Sequence, residues 1–243
     1  MGRLLITSDW HGMLDEAKKL LEVAHYIPGV DELIVLGDWV DRGPSPIATV
    51  QFMMQLKKEG GHMVHPVMGN HESMFLELLD EIEKGEFDPT YFGQDRNGTE
   101  ITYRQFNKLG RKELMELTEF MEFITKLPHI VYKEGLMFVH AGVNINKPLN
   151  KQSEYDVLHI YGIERRRFIL SPVSKNTTIV FGHTPTDWNS YKIWYDPINK
   201  DKIGIDCGGV FGGNLALLSF VWKDGRFVPD EEFYVSCERK WGR

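Results

Sequence analysis

The sequence predicts an α/β fold of two mixed sheets packed together with helices outside. Three observations carry that expectation. Short apolar strands alternate with amphipathic helices through the first third, strands dominate from Val131 onward, and no repeat, low-complexity tract or Pro/Gly/Ser-rich linker divides the 243 residues. A chain of this length with 42% hydrophobic residues is long enough to bury a single core without disulfides or metal staples.

Arg3–Thr7 (RLLIT) reads as a buried strand. Leu14–Tyr26 follows as a helix, with Leu14, Ala17, Leu21 and Ala24 at helical spacing. Glu32–Leu36 is a second strand and Pro44–Lys58 a helix with proline near its start, where its missing N–H costs nothing. Met63–Met68 is a third strand, and Ser73–Glu83 a helix with Ser73 as N-cap. The polar, turn-rich stretch Lys84–Gln105 predicts a loop or small cap, and Lys112–Lys126 a further helix. Beyond it, Leu136–Val139, Thr178–Phe181, Tyr191–Tyr195, Lys202–Ile205 and Leu215–Trp222 read as strands.

Composition excludes several classes. No apolar run approaches the roughly 18 residues of a membrane span. The apolar stretch at the start is too short for a signal peptide and is interrupted by Asp9, and Ile6 stands where a myristoylation signal needs Ser or Thr. Cys207 and Cys237 are too few for a disulfide framework or a cysteine-based zinc site. With 28 basic against 35 acidic residues, the chain is not a general nucleic-acid binder. A cytoplasmic enzyme is the expectation, with neither membrane nor nucleic-acid partner.

One pattern recurs five times: an apolar strand ends and a potential metal ligand follows. The five are LLITSDWHG (Asp9, His11), LIVLGDWVDRG (Asp38, Asp41, Arg42), HPVMGNHE (Asn70, His71, Glu72), LMFVHAG (His140) and TIVFGHTP (His183). Ligands of open α/β sheets bind beyond the carboxyl ends of the strands, so the five clusters should converge. Gly37, Gly69 and Gly182 precede ligands where the chain must turn sharply and approach closely. Asp9 and His11, two apart at a strand end, should face one side. The oxygen and nitrogen set Asp9, His11, Asp38, Asn70, His140 and His183 suits manganese, iron or zinc. Six ligands exceed a mononuclear zinc site and match two metals about 3.5–4 Å apart. Glu72 fits a loop-fixing role better than chemistry, and for Trp10 and Trp39 a site wall and plain core packing are both open.

The ordered series D-x-H-G, G-D-x-V-D-R-G, G-N-H-E, V-H-A-G and G-H-T-P resembles the phosphoprotein phosphatase family of calcineurin-like metallophosphoesterases. Within it the chain is similar to the bacterial and phage branch of Ser/Thr protein phosphatases and dinucleoside tetraphosphatases. The resemblance implies a single metallophosphoesterase-type domain over residues 1–243, an α/β/β/α sandwich with a cap or substrate loop at 85–105. It implies that Asp9, His11 and Asp38 bind one metal, and that Asp38 bridges to a second held by Asn70, His140 and His183, with manganese first among the candidates. His71 would be the general acid, oriented by Asp41, and Arg42, Asn70 and a second arginine would bind phosphate. Alignment on Phe168 makes Arg165 that arginine, with Arg166 and Arg167 as alternatives. Pro185 stands where many diesterases of the wider superfamily carry another metal-binding histidine.

The implied activity is phosphomonoester hydrolysis, phosphoserine or phosphothreonine in proteins first, by direct attack of a hydroxide held between the metals. The alternative is a bis(5′-nucleosyl)-tetraphosphatase, for which Tyr91 and Phe92 could stack a base. An idle phosphate-binding module would have lost a ligand or the acid, and none is lost.

Overall fold

The computed structural model describes residues 2–86, 97–108, 119, 121–185 and 187–241. They form two five-stranded mixed sheets. In the first, β1 (Leu4–Thr7), β2 (Glu32–Val35) and β3 (Val64–Pro66) run parallel. They are joined by α1 (Leu14–Val23) and α2 (Pro46–Gly60). The second sheet begins with β4 (Ile130–Lys133), β5 (Leu136–Val139) and β6 (Thr178–Phe181). It is completed by β7 (Trp194–Tyr195) and β8 (Lys202–Gly204), in the order β4-β5-β6-β8-β7. The long strand β9 (Asn214–Lys223) returns to the first sheet antiparallel to β1, and β10 (Arg226–Ser236) closes its edge.

The layering follows from period-two alternation. Leu4, Ile6, Ile34 and Leu36 meet Leu136, Phe138, Val180 and Ile203 between the sheets. Their sequence neighbours Leu5, Leu33, Val35, Met137 and Phe181 turn outward into the cluster that includes Leu20, Val50, Met53, Phe75 and Phe168. Both faces of each central strand are therefore apolar, which is why those strands read as unbroken runs.

Several expected boundaries shift. The helix expected from Ser73 is α3, Asn70–Lys84, so Ser73 lies inside it and is not its cap. Glu72 accepts from the Gly69 N–H at 3.1 Å and starts the helix three residues earlier. Asn70 and His71 thus sit on a first helical turn rather than in a loop. The segment expected as a loop or cap contains α4 (Thr99–Phe106). Residues 121–125 are helical, as expected for the end of Lys112–Lys126; most of the rest of that helix, like Tyr91 and Phe92, lies outside the described residues. The strand expected at Tyr191–Tyr195 shortens to β7. Two short helices, α5 (Glu154–Leu158) and α6 (Gly162–Leu170), interrupt the strand-rich half.

Candidate active site

The five polar clusters converge at one end of the sandwich, each just past the carboxyl end of β1, β2, β3, β5 or β6. The loops touch backbone to backbone. Gly37 has φ 78°, and a Cβ there would collide with the Gly69 backbone, while one on Gly69 would collide with Asp38. A Cβ on Gly182 would overlap the Ser8 and Asp9 side chains. Six non-glycine residues of the site, Asp9, His11, Asp38, Asp41, Arg42 and His183, hold positive φ, between 40° and 73°. Left-handed conformations of this kind cost of order 1–3 kcal/mol each and persist where packing fixes them. They also correct one expectation: Asp9 and His11 both reach the site, but through left-handed turns, not through strand alternation.

Asp38 is at the centre. It is 1% exposed, and its Oδ1 accepts from the His71 N–H at 3.1 Å and lies 3.3 Å from His140 Nε2. Its Oδ2 lies 3.5 Å from His11 Nε2 and 3.8 Å from His71 Nε2, yet has no hydrogen-bond partner. His140 donates from Nδ1 to the Leu36 carbonyl (2.7 Å), which aims Nε2 inward, 2.9 Å from Asn70 Oδ1 and 3.0 Å from His183 Nδ1. His11 donates from Nδ1 to the Val40 carbonyl (2.9 Å), and its Nε2 accepts from the Arg42 guanidinium at 2.7 Å. Asp9 accepts the His183 N–H at 3.0 and 3.1 Å.

His71 donates from Nδ1 to Asp41 Oδ2 at 2.7 Å, leaving Nε2 turned toward Asp38. Asp41 is itself clamped. The Thr99 hydroxyl donates to its Oδ2 at 3.1 Å, the Thr102 hydroxyl donates to its Oδ1, and its N–H donates to Thr102 Oγ1 at 3.0 Å. Glu72 gathers four backbone N–H groups: Asp38 and Trp39 at 2.7 Å, Gly69 at 3.1 Å and Val40 at 3.2 Å. It fixes the loops, as expected.

Burial governs the electrostatics. Burial and the neighbouring guanidinium of Arg42 push His11 well below the ordinary imidazole range, and burial with His140 does the same to His183, so both rings are neutral. Burial also opposes charge on His140, but Asp38 and Asp9 hold its pKa up at about 9. Burial acts against charge on Asp38 too, and there the imidazoles of His140 and His71 prevail, keeping it well below the usual carboxylate range.

Arg165 lies on α6 and donates from Nη2 to the Thr184 carbonyl at 2.9 Å, directly beside His183. Arg166 and Arg167 are exposed. Arg42 stands against the Phe211 ring, 5.4 Å from its centroid. Trp10 and Trp39 are fully buried and pack on Phe52 and Phe123, so their place is in the core.

Three site residues escaped the sequence reading. Asp206 follows β8 as the other clusters follow their strands, in GIDCGG, so the same rule would have found it; it is buried, and burial raises its carboxyl to about 6. Thr99 and Thr102 carry no such signal, because isolated threonines on a short polar helix are ordinary.

The donor set fits divalent metal. His11, Asp38 and His71 form one group of mutually close ligand atoms, and Asp38, His140 and His183 another, with Asp38 common to both. The unpartnered Asp38 Oδ2 is a buried lone pair of the kind a cation satisfies. Such a cluster at the strand ends suits metal-dependent hydrolysis of phosphoric esters. The chain belongs to the calcineurin-like phosphoesterase family, whose model matches residues 2–213.

Among relatives, the chain is 28% identical over 237 residues to the asymmetrical bis(5′-nucleosyl)-tetraphosphatase PrpE of Bacillus subtilis, covering 88% of this chain and 89% of that one. It is 25% identical over 252 residues to the enzyme of the same name from Halalkalibacterium halodurans, covering 95% of each chain. The symmetrical bis(5′-nucleosyl)-tetraphosphatase of Erwinia tasmaniensis is 25% identical over 285 residues, covering 90% of this chain and 93% of that one. The fold is shared with the solved structure of a candidate diadenosine tetraphosphatase (TM-score 0.63, 21% identity, 97% of this chain and 94% of that one). It is also shared with a protein-tyrosine phosphatase from a Shewanella species (TM-score 0.59, 19% identity, 94% and 80%). Among the described residues, no helix is long and apolar enough to cross a membrane.

Proposed function

We propose that this phosphatase hydrolyses dinucleoside tetraphosphates, cleaving diadenosine tetraphosphate asymmetrically to AMP and ATP. The observation that carries this reading is the near full-length likeness to relatives of that name, joined to a site from which no candidate residue is missing. Phosphoserine or phosphothreonine in proteins, the first expectation from the sequence, calls on the same residues and is less well supported by those relatives.

Asp9, His11 and Asp38 would hold one divalent cation, and Asp38, Asn70, His140 and His183 the other, manganese being our first candidate. Bound there, the two cations would supply positive charge for the phosphoryl oxygens and a water acidified enough to attack phosphorus. The protein residues do the rest. His71 holds a proton at Nε2 for the departing oxygen, while Asp41 keeps Nδ1 protonated and stabilises the charged ring. Arg42 and Arg165 offer charge-assisted hydrogen bonds to the phosphoryl oxygens, with Asn70 Nδ2 as a further donor. Arg42 must leave His11 Nε2 for this, since the same lone pair would serve the cation.

The test is a side-by-side rate comparison with manganese on diadenosine tetraphosphate and phosphoserine and phosphothreonine peptides, with the nucleotide products separated. Faster turnover of the dinucleotide to AMP and ATP is expected. A clear preference for the peptides would reinstate the protein phosphatase reading, and two molecules of ADP would show symmetrical cleavage.

A further inference from the structure

We propose that Tyr161, His159 and Tyr155 form a nucleobase-binding track leading from the active site into a pocket beside it. The track deepens the proposed function and rests on it for the identity of the substrate. The Tyr161 ring stands edge-on to the His183 imidazole, with centroids 4.7 Å apart. His159 follows at 6.4 Å from Tyr161, and Tyr155 at 5.2 Å from His159, the latter two pairs tilted by only 39° and 32°. A row of rings therefore begins at the proposed metal centre and runs outward.

These rings are not accounted for by packing. Tyr155 is 65% exposed and Tyr161 50%, so neither belongs to the buried core. Among the described residues their hydroxyls make no hydrogen bond. Exposed aromatic faces carry no stabilising burial of their own, and they suit a flat ligand that covers them.

The outer end of the row opens into a small cavity of about 120 Å³, lined by Tyr155, His159, Asn144, Asn146 and Arg167. The exposed Asn146 offers an amide to a base edge. Helix α6 serves both ends: Arg165 reaches the carbonyl beside His183, and Arg167 stands at the pocket rim. A nucleoside polyphosphate with its reacting phosphate at the metal centre would then run its chain past cations and lay its base among the rings.

The experiment uses the full manganese-loaded chain and two probes that resist hydrolysis and share a diphosphonate end, α,β-methylene-ADP and methylenediphosphonate, titrated by calorimetry. The wild type is expected to bind the adenosine-bearing probe more tightly by roughly 5- to 150-fold, the span that alanine substitution gives base stacking. Tyr155→Ala should lose most of that ratio and Tyr155→Phe should keep it, because stacking needs the ring and not the hydroxyl. Equal affinity for the two probes in the wild type, or an unchanged ratio in Tyr155→Ala, overturns the proposal. Turnover of diadenosine tetraphosphate is scored separately. A protein that separates the probes through Tyr155 yet leaves that dinucleotide intact keeps the track for another nucleoside phosphate and discards the substrate reading.

Discussion

His71 is held from one side only: Asp41 takes its Nδ1–H, and Nε2 faces the cluster around Asp38. That geometry suits a proton donor, and the value of a donor depends on what leaves. A serine alkoxide is strongly basic and needs the proton, whereas nitrophenolate and a nucleotide phosphate depart readily without it. His71→Asn is therefore expected to cut kcat on a phosphoserine peptide by about 10²–10⁴-fold, with much smaller losses on p-nitrophenyl phosphate and diadenosine tetraphosphate and with metal content retained. Equal losses on all three substrates would assign His71 to binding or metal geometry. The three neighbouring arginines separate by burial alone. Arg165→Ala should raise KM and lower kcat, by about tenfold for a lost charged hydrogen bond, while the exposed Arg166→Ala stays near wild type in steady-state kinetics. At this scale the sequence was informative wherever a ligand follows an apolar strand, because strand ends and function coincide in α/β sheets. It was silent on Thr99 and Thr102, whose role depends on where a later helix docks.

That helix is α4, and it works as a clamp. Its Thr102 hydroxyl both donates to the Asp41 carboxylate and accepts from the Asp41 N–H, with Thr99 adding a second donor. Thr102 is thus a positioning residue acting through Asp41 on His71. Thr102→Val should lower kcat on a phosphoserine peptide by about tenfold, the lower end of what a hydrogen bond to a charged group is worth, without loss of metal. Thr102→Ser should restore most of it, which a purely steric role would not predict. The missed elements share a physical cause. Helix α4 (TEITYRQF) is only eight residues long and buries threonines, and α6 (GIERRRFIL) buries only Phe168, so neither offers a long apolar stripe. Strand β10 is largely exposed, with a register shift between Pro229 and Glu232 that breaks its alternation. By contrast β1, β2, β5 and β6 are buried on both faces and were plain in the sequence. Ser73 misled because a hydroxyl before an apolar run resembles a cap, while Glu72 was already closing the turn from the other side.

Across the molecule, the site is a seam between the sheets. Asp9, His11, Asp38 and Asn70 come from the loops of the first sheet, and His140 and His183 from those of the second. A cation held by both sides should therefore stiffen the whole sandwich. Manganese at about one hundred times its dissociation constant stabilises a native state by about 2.7 kcal/mol per site. The wild type should show a Tm rise with manganese and a fall with chelator in scanning calorimetry, and Asp38→Asn, which takes a donor from both positions, should show little of either. A full manganese-dependent rise in that variant would refute the shared role of Asp38.

The bond between the Asp9 carboxylate and the His183 amide joins residues 174 apart. Chains emerge from the ribosome amino end first, so Asp9, His11 and Asp38 are made early, while His183 appears only after about three quarters of these 243 residues have been synthesised. Until then the first three ligands stand on a sheet that also lacks β9, its antiparallel neighbour at β1. A chain arrested before β6 carries every proposed ligand but His183, and the Asp9 carboxylate then lacks the amide that fixes it.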